Sequence, residues 1–380
     1  MKIVIAPDSF KESLDALSVA RAIRDGLADV WPDADYVLKP MADGGEGTVD
    51  AVIASTGAQR LSRKVCGPLG DLVDATWAWH ADTRTATLEI AEASGLMRVP
   101  PDRRDAARAD SYGTGELMRA ALDHGARRIV VGLGGSATND GGAGLLRALG
   151  VRFLDDTGSA LPPGGLALGA LHRLILDDLD PRLRDVELII ASDVDNPLCG
   201  ASGASAVFGL QKGAHAALVP QLDAALARLA SVHAAQTGKD WSGTPGAGAA
   251  GGAGWAMLAV LRATLRPGVA LIAEMNGLED AIDGADLVIT GEGRMDAQTV
   301  RGKVPFGVAR LAKGRNVPVV ALVGSLGEGY RDLYGHGLTA AFSLVSRPMS
   351  LAEAMTDTSS LLTSLARDVA RLMDASHPTR

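Results

Sequence analysis

Aromatic residues make up only 4% of this 380-residue chain, and cysteines number two. A core with so few rings is built from aliphatic and small side chains. That favours sheets of Val, Leu, Ile and Ala under small-faced helices over a β-sandwich. Cys66 and Cys199 stand alone, with no CxxC or Cys/His spacing, so neither a disulfide framework nor a structural zinc site is expected. Positive charge is in deficit: the formal net charge of −8 argues against a general nucleic-acid or anionic-membrane surface. Long hydrophobic runs are missing as well. Residues 2–6 are apolar for too short a stretch to be a signal peptide, and no segment approaches a spanning helix. The expectation is a cytoplasmic protein that captures any anionic ligand locally, with backbone amides, a few Lys and Arg side chains and a metal.

Glycine, by contrast, is abundant, and much of it is grouped with acids and hydroxyls. The most informative stretch is Gly132-Leu133-Gly134-Gly135-Ser136-Ala137-Thr138-Asn139-Asp140-Gly141-Gly142-Ala143-Gly144. It follows an apolar run at 128–131 and precedes a helical pattern at 145–149. Glycines let backbone N–H groups approach phosphate oxygens closely, and a following helix N-terminus adds favourable dipole charge. Asp140 is out of place beside bare phosphate but suits phosphate accompanied by a divalent cation.

The organisation along the chain predicts an α/β protein. Residues 2–6 read as a buried strand, followed by a helix capped by Ser13 and running to about residue 30. A strand at 36–38 and a helix near 49–54 complete a β-loop-α-β-loop-α opening, the pattern of a doubly wound parallel sheet. Segments 60–66, 73–80 and 85–90 are β-rich, with a turn at 67–71, which is antiparallel hairpin chemistry. Further strands are predicted at 129–131, 152–154, 173–176 and 188–191, and an alanine-rich helix over about 220–236. Doubly wound texture returns with strands at 286–290, 318–323 and 340–344, and helices at 304–312 and near 357–373. The chain at 1–60 and 282–380 therefore reads as one discontinuous Rossmann-like domain. A second, mixed α/β domain at 61–281 is inserted into it, with the active site expected in the cleft between them.

Several loops at predicted strand ends carry the chemistry. Asp8, Ser9 and Lys11 follow the first strand and offer an acceptor, a small donor and a mobile cation; an ordinary strand-to-helix turn explains them less well at this position. Asp43 and Glu46 lie among the glycines of 44–47, where carboxylates can ligate Mg²⁺ or accept a hydroxyl proton. Asp193, with Asn196 three residues on, follows the strand at 188–191, although Asn196-Pro197 is good turn chemistry in any case. Glu292, Asp296, Thr299 and Lys303 give acids, a hydroxyl and a cation within one loop. The segment 246–254 lacks a preceding strand and so fails the context for a dinucleotide fingerprint; a backbone nest and a close-packed helix start fit it equally. No histidine sits in these loops, which disfavours Ser-His-Asp hydrolysis, zinc chemistry and histidine acid–base catalysis. Phosphoryl transfer needs mainly positioning, metal and charge compensation, which such loops supply.

In order along the chain, APDSFKESL (6–14), PMADGGEGT (40–48), GLGGSATNDGGAG (132–144), SDVDNPL (192–198), GAGAAGGAG (246–254) and TGEGRMDAQT (290–299), with GK at 302–303, resemble the bacterial type 1 glycerate kinase family. The resemblance covers essentially the whole chain. It implies ATP-dependent phosphorylation of D-glycerate with Mg²⁺ on a two-domain α/β fold, with 2-phosphoglycerate the usual product and 3-phosphoglycerate an alternative. Within that frame Gly134, Gly135, Ser136, Thr138, Asn139, Gly141, Gly142 and Lys303 are expected around the nucleotide. Asp193 and Asp140, with Asp296 in reserve, are expected to hold Mg²⁺. Asp43 is the expected base, oriented by Glu46, with Lys11 and Lys303 compensating charge and Asp193 completing the catalytic set. Asp8, Ser9, Asn196, Glu292 and Thr299 are expected to contact substrate. The expected partners are small molecules only, in a monomer or homodimer. A nicotinamide-dependent oxidoreductase and a non-catalytic ligand-binding protein are the rival readings; the first lacks its fingerprint glycines.

Overall fold

The computed structural model describes residues 1–376. The described chain forms two compact units: residues 1–43, 50–57 and 269–376 make the terminal unit, and residues 44–49 with 58–268 make the inserted unit. The sequence-based boundaries lay at 60/61 and 281/282. The helices Gly268–Met275 and Leu278–Ile282 lie almost wholly in the terminal unit.

The terminal unit is built on a five-stranded, all-parallel sheet in the spatial order Ala340–Ser343, Val319–Val323, Leu287–Gly291, Lys2–Pro7, Asp35–Leu38. Its central strands are near-continuous Ile/Val/Leu runs, as a sheet covered on both faces requires. Ile3, Ile5, Leu287, Ile289, Val320 and Leu322 face one way, into a cluster with Val19, Ile23 and Leu27 of helix Ala16–Ala28 and Leu362 and Ala366 of helix Thr358–Ser376. Val4, Val288 and Ala321 alternate to the opposite face, where helix Val304–Lys313 packs on the central strands. The first helix starts later than expected. Its cap is Asp15, which accepts the Ser18 N–H at 2.9 Å, while the Ser13 hydroxyl donates to the Met355 carbonyl at 2.7 Å.

The inserted unit has a six-stranded mixed sheet in the order Thr264–Arg266, Glu187–Ala191, Arg128–Gly132, Thr85–Glu89, Leu72–His80, Gln59–Cys66. The first four strands are parallel, and the last two form the expected antiparallel hairpin. Helices Tyr112–Asp123 and Val219–Thr237 bury Leu117, Met118, Leu226 and Leu229 in its core, with Trp255 among the fully buried side chains. In both units the chemically loaded loops leave the carboxyl ends of parallel strands, the usual ligand side of an open α/β sheet.

Candidate active site

In the terminal unit the strands Lys2–Pro7 and Leu287–Gly291 end side by side, and the Asp8 N–H donates to the Gly291 carbonyl at 2.8 Å. That pairing carries Asp8, Ser9 and Lys11 from one loop and Glu292 and Lys303 from another into one cavity of about 580 Å³, with Asp43 on its wall. Leu344, Val345, Met349, Leu351 and Met355 add an apolar part to its lining. Five of the residues singled out in the sequence, together with Asp43, therefore line a common space.

The electrostatics of this cavity are strained. Burial, and then the negative charge of Asp43, push the Asp8 carboxyl up to about 8, with Glu292 adding to the rise. The Ser9 N–H, 2.7 Å from Asp8 Oδ1, and the Lys11 ammonium pull the other way and do not compensate. Glu292 is also raised by burial, against the opposing pull of Lys303 and of the Thr299 hydroxyl. Thr299 Oγ1 donates to Glu292 Oε1 at 2.6 Å, and Lys303 Nζ stands 3.4 Å from Oε2. Thr299 is fully buried and lies behind Glu292 rather than on the cavity wall, so it supports an acid where a substrate contact was expected. Asp296 likewise departs from its expected metal role. Its carboxylate accepts the Gln298 N–H at 2.9 Å and Arg294 Nε at 3.1 Å, and it shapes its own turn.

The glycine loop of the inserted unit corrects more expectations. Asp140 is fully buried, and its carboxylate accepts four hydrogen bonds: from the Ser111 N–H (2.9 Å) and hydroxyl (2.7 Å), and from the N–H groups of Gly142 (3.1 Å) and Gly144 (3.0 Å). These bonds commit Asp140 to bracing its own loop and Ser111, a use different from the metal ligation expected of it. The helix that follows, Ala143–Ala148, is only six residues long, and its leading amides are already satisfied by Asp140. The anion at this helix N-terminus is the protein's own side chain.

The glycines have a packing reason too. Gly44, at φ +87°, sits on the Ala191 carbonyl; a Cβ at Gly132 would lie 2.5 Å from the Gly44 carbonyl oxygen, and one at Gly134 would lie 2.4 Å from Gly45 Cα. Backbone touches backbone here, which only glycine allows. Amides expected to hold phosphate are engaged in the same packing: Gly134 N–H donates to the Gly44 carbonyl (3.2 Å), Ala137 to Ser94 (2.9 Å) and Gly141 to Gly251 (2.9 Å). The 246–254 segment packs its backbone against this loop, with Ala250, Gly251 and Gly252 in left-handed conformations that interrupt its helix.

Thr138, Asn139, Gly141 and Gly142 are buried, so they do not reach a ligand in this conformation; the Asn139 side-chain amide instead donates to Ser205 Oγ at 2.9 Å. Gly134 and Gly135 form the accessible corner, with Glu46 Cβ 3.9 Å from the position of a Gly135 Cβ and Ser136 directly beneath. Asp193 is exposed at the end of strand Glu187–Ala191, while the Asn196 amide is committed to the Ser202 carbonyl at 2.8 Å.

Two charged residues of this region carry no sequence signal. Glu89, 2% exposed at the end of its strand, accepts the Gly47 and Val49 amides. Lys212 is 3% exposed, and its ammonium donates to Ser136 Oγ at 2.8 Å and to the Thr138 carbonyl at 2.7 Å. Both sit far along the chain from their partners, where no local motif points to them.

Acid-bearing loops at the carboxyl ends of parallel strands fit a small-molecule site on an α/β fold, and comparison with known proteins gives the class. Residues 3–374 match the glycerate kinase family, and the chain belongs to that family. It is 50% identical to a glycerate kinase of Halalkalibacterium halodurans, over 97% of each chain. It is 48% identical to the glycerate 2-kinase of Escherichia coli, over 93% of each chain. A crystal structure of a Salmonella typhimurium LT2 protein assigned as glycerate kinase 2 superposes with a TM-score of 0.87 at 47% identity, covering 99% of both chains. Among the described residues no helix is long and apolar enough to cross a membrane.

Proposed function

We propose that this enzyme transfers the terminal phosphoryl group of ATP to D-glycerate with Mg²⁺, forming 2-phosphoglycerate. The observation that carries the reading is the crowding of Asp8, Asp43 and Glu292 around a cavity whose lysines, Lys11 and Lys303, do not offset them. Such a cavity is completed by a cation and by an anionic ligand bound with it. The family and the name of the Escherichia coli relative supply the substrate and the favoured hydroxyl.

The donor set fits Mg²⁺. This ion takes oxygen ligands, and in phosphoryl-transfer sites it is held by one or two carboxylates plus phosphate and water. No group of three metal-binding side chains occurs among the described residues, so the carboxylates present would hold the ion only together with phosphate and water. Asp8 is the carboxylate of the terminal unit best suited to it, because a cation relieves the repulsion that keeps Asp8 protonated; Asp193 is the exposed strand-end acid of the inserted unit. When bound, the ion neutralises charge that builds on the transferred group.

Asp43 accepts the proton of the attacked hydroxyl, and Glu46 orients the reacting groups. Lys11 and Lys303 balance the glycerate carboxylate and the moving phosphoryl charge, with Ser9 and Glu292 contacting the substrate. The Gly134–Ser136 corner receives nucleotide phosphates. Coupled ADP release with D-glycerate, followed by phosphorus NMR of the product, tests the reading. No ADP release, or a 3-phosphate signal, overturns the activity or its regiochemistry respectively.

A further inference from the structure

The glycine loop looks like an anion cradle, yet many of its amides are spent on backbone packing. Its accessible corner therefore needs another source of donors and positive charge. The group in position is Lys212, at the end of the short helical turn Leu210–Lys212. Its segment clamps the loop twice: Ser205 holds the Asn139 amide, and the Lys212 ammonium holds Ser136 Oγ and the Thr138 carbonyl.

The direction of these bonds matters. An ammonium has three protons to give and no lone pair, so Ser136 must accept from Lys212. The serine proton is then turned away from the lysine, free to be donated to an acceptor at the loop's corner. A charge-assisted bond of this kind also polarises the hydroxyl. Burial pushes the ammonium down to about 7, against the opposing pull of the Asp140 charge, so an anion arriving nearby would favour its charged form.

We propose that Lys212 is a positioning residue for nucleotide binding: it fixes Ser136 as a hydrogen-bond donor to phosphate and places a positive charge beneath the glycine corner. This rests on the reading that the corner receives nucleotide phosphates.

The test is a double-mutant cycle on the full chain, with ATP binding measured calorimetrically in Mg²⁺ without glycerate. Lys212→Met and Ser136→Ala should each raise the ATP dissociation constant by about 10-fold or more, as for hydrogen bonds to charged groups. The double variant should be little weaker than the worse single one, because both act through one bond. Affinity for adenosine, which has no phosphate, should not move, and the KM for ATP should rise in step while the KM for glycerate holds. Additive losses, or an equal loss for adenosine and ATP, would overturn the proposal and leave the activity standing. Should Lys212→Met fail to fold, Ser136→Ala decides alone: unchanged ATP affinity overturns it. A wild-type protein that does not bind ATP overturns the nucleotide reading and the proposal together.

Discussion

Asp140 and Asp8 both lie in loops that leave the carboxyl ends of parallel strands, one in the glycine loop of the inserted unit and one in the terminal unit, and the fold treats them in opposite ways. Asp140 accepts four hydrogen bonds from its own loop and from Ser111, and it serves as an internal brace. Asp8 has the Ser9 N–H and little else to offset its burial and the charge of Asp43, and it is held protonated up to about 8. A carboxylate among glycines is thus not a ligand by composition. What decides is whether its lone pairs are used up by its own backbone. The folded loop leaves chemistry only to the acid it fails to satisfy.

Breaking the brace should have the largest effect on folding. Asp140→Ala leaves the Ser111, Gly142 and Gly144 donors buried without partners, and should cost about 3–5 kcal/mol of stability by urea denaturation. A loss below about 1 kcal/mol would mean that Asp140 is not a brace. The complementary cut is catalytic. Asp43→Ala and Asp193→Ala should each lower turnover by about 100-fold or more in the coupled assay, with little change in melting temperature. Near-normal turnover in both would remove these acids from the mechanism.

A subtler probe is Asp8→Asn without ligands. A carboxyl raised in the folded state binds more protons there than in the unfolded chain between its ordinary value and about 8. Wild-type stability should therefore fall across that window as pH rises, and the Asn variant should lack this decline. Parallel pH profiles for the two proteins would show that Asp8 is not strained. The smallest effect is expected for Thr299→Val, which removes the donor to Glu292 at a cost of about 1 kcal/mol and raises the Glu292 titration further, readable by carbon-13 NMR of the side chain.

The contrast between the two aspartates also marks where the sequence stops speaking. The Val/Ile runs and hairpin turns made the parallel sheets and the antiparallel pair legible, because burial on one or both faces writes itself into local periodicity. The strand Thr264–Arg266, with one apolar residue in three, carries no such signal. The cap is Asp15 where the local pattern predicts Ser13, since both residues suit the role and only the backbone chooses. Asp8, Lys11, Asp43, Glu292 and Lys303 were legible as a group from their places at strand ends. The role of Asp140 was not, because it depends on Ser111, 29 residues away. Lys212 was invisible for the same reason, lying 76 residues from Ser136.

One short segment has a consequence for taking the protein apart. Residues 44–49 belong to the inserted unit although the chain on either side of them belongs to the terminal unit. A fragment cut at 58–268 would therefore lack a ribbon that lies on Gly132, Gly134 and Ala191 and caps the Glu89 carboxylate. Any dissection of the chain has therefore to carry residues 44–49 together with 58–268, although 50–57 separate them in sequence.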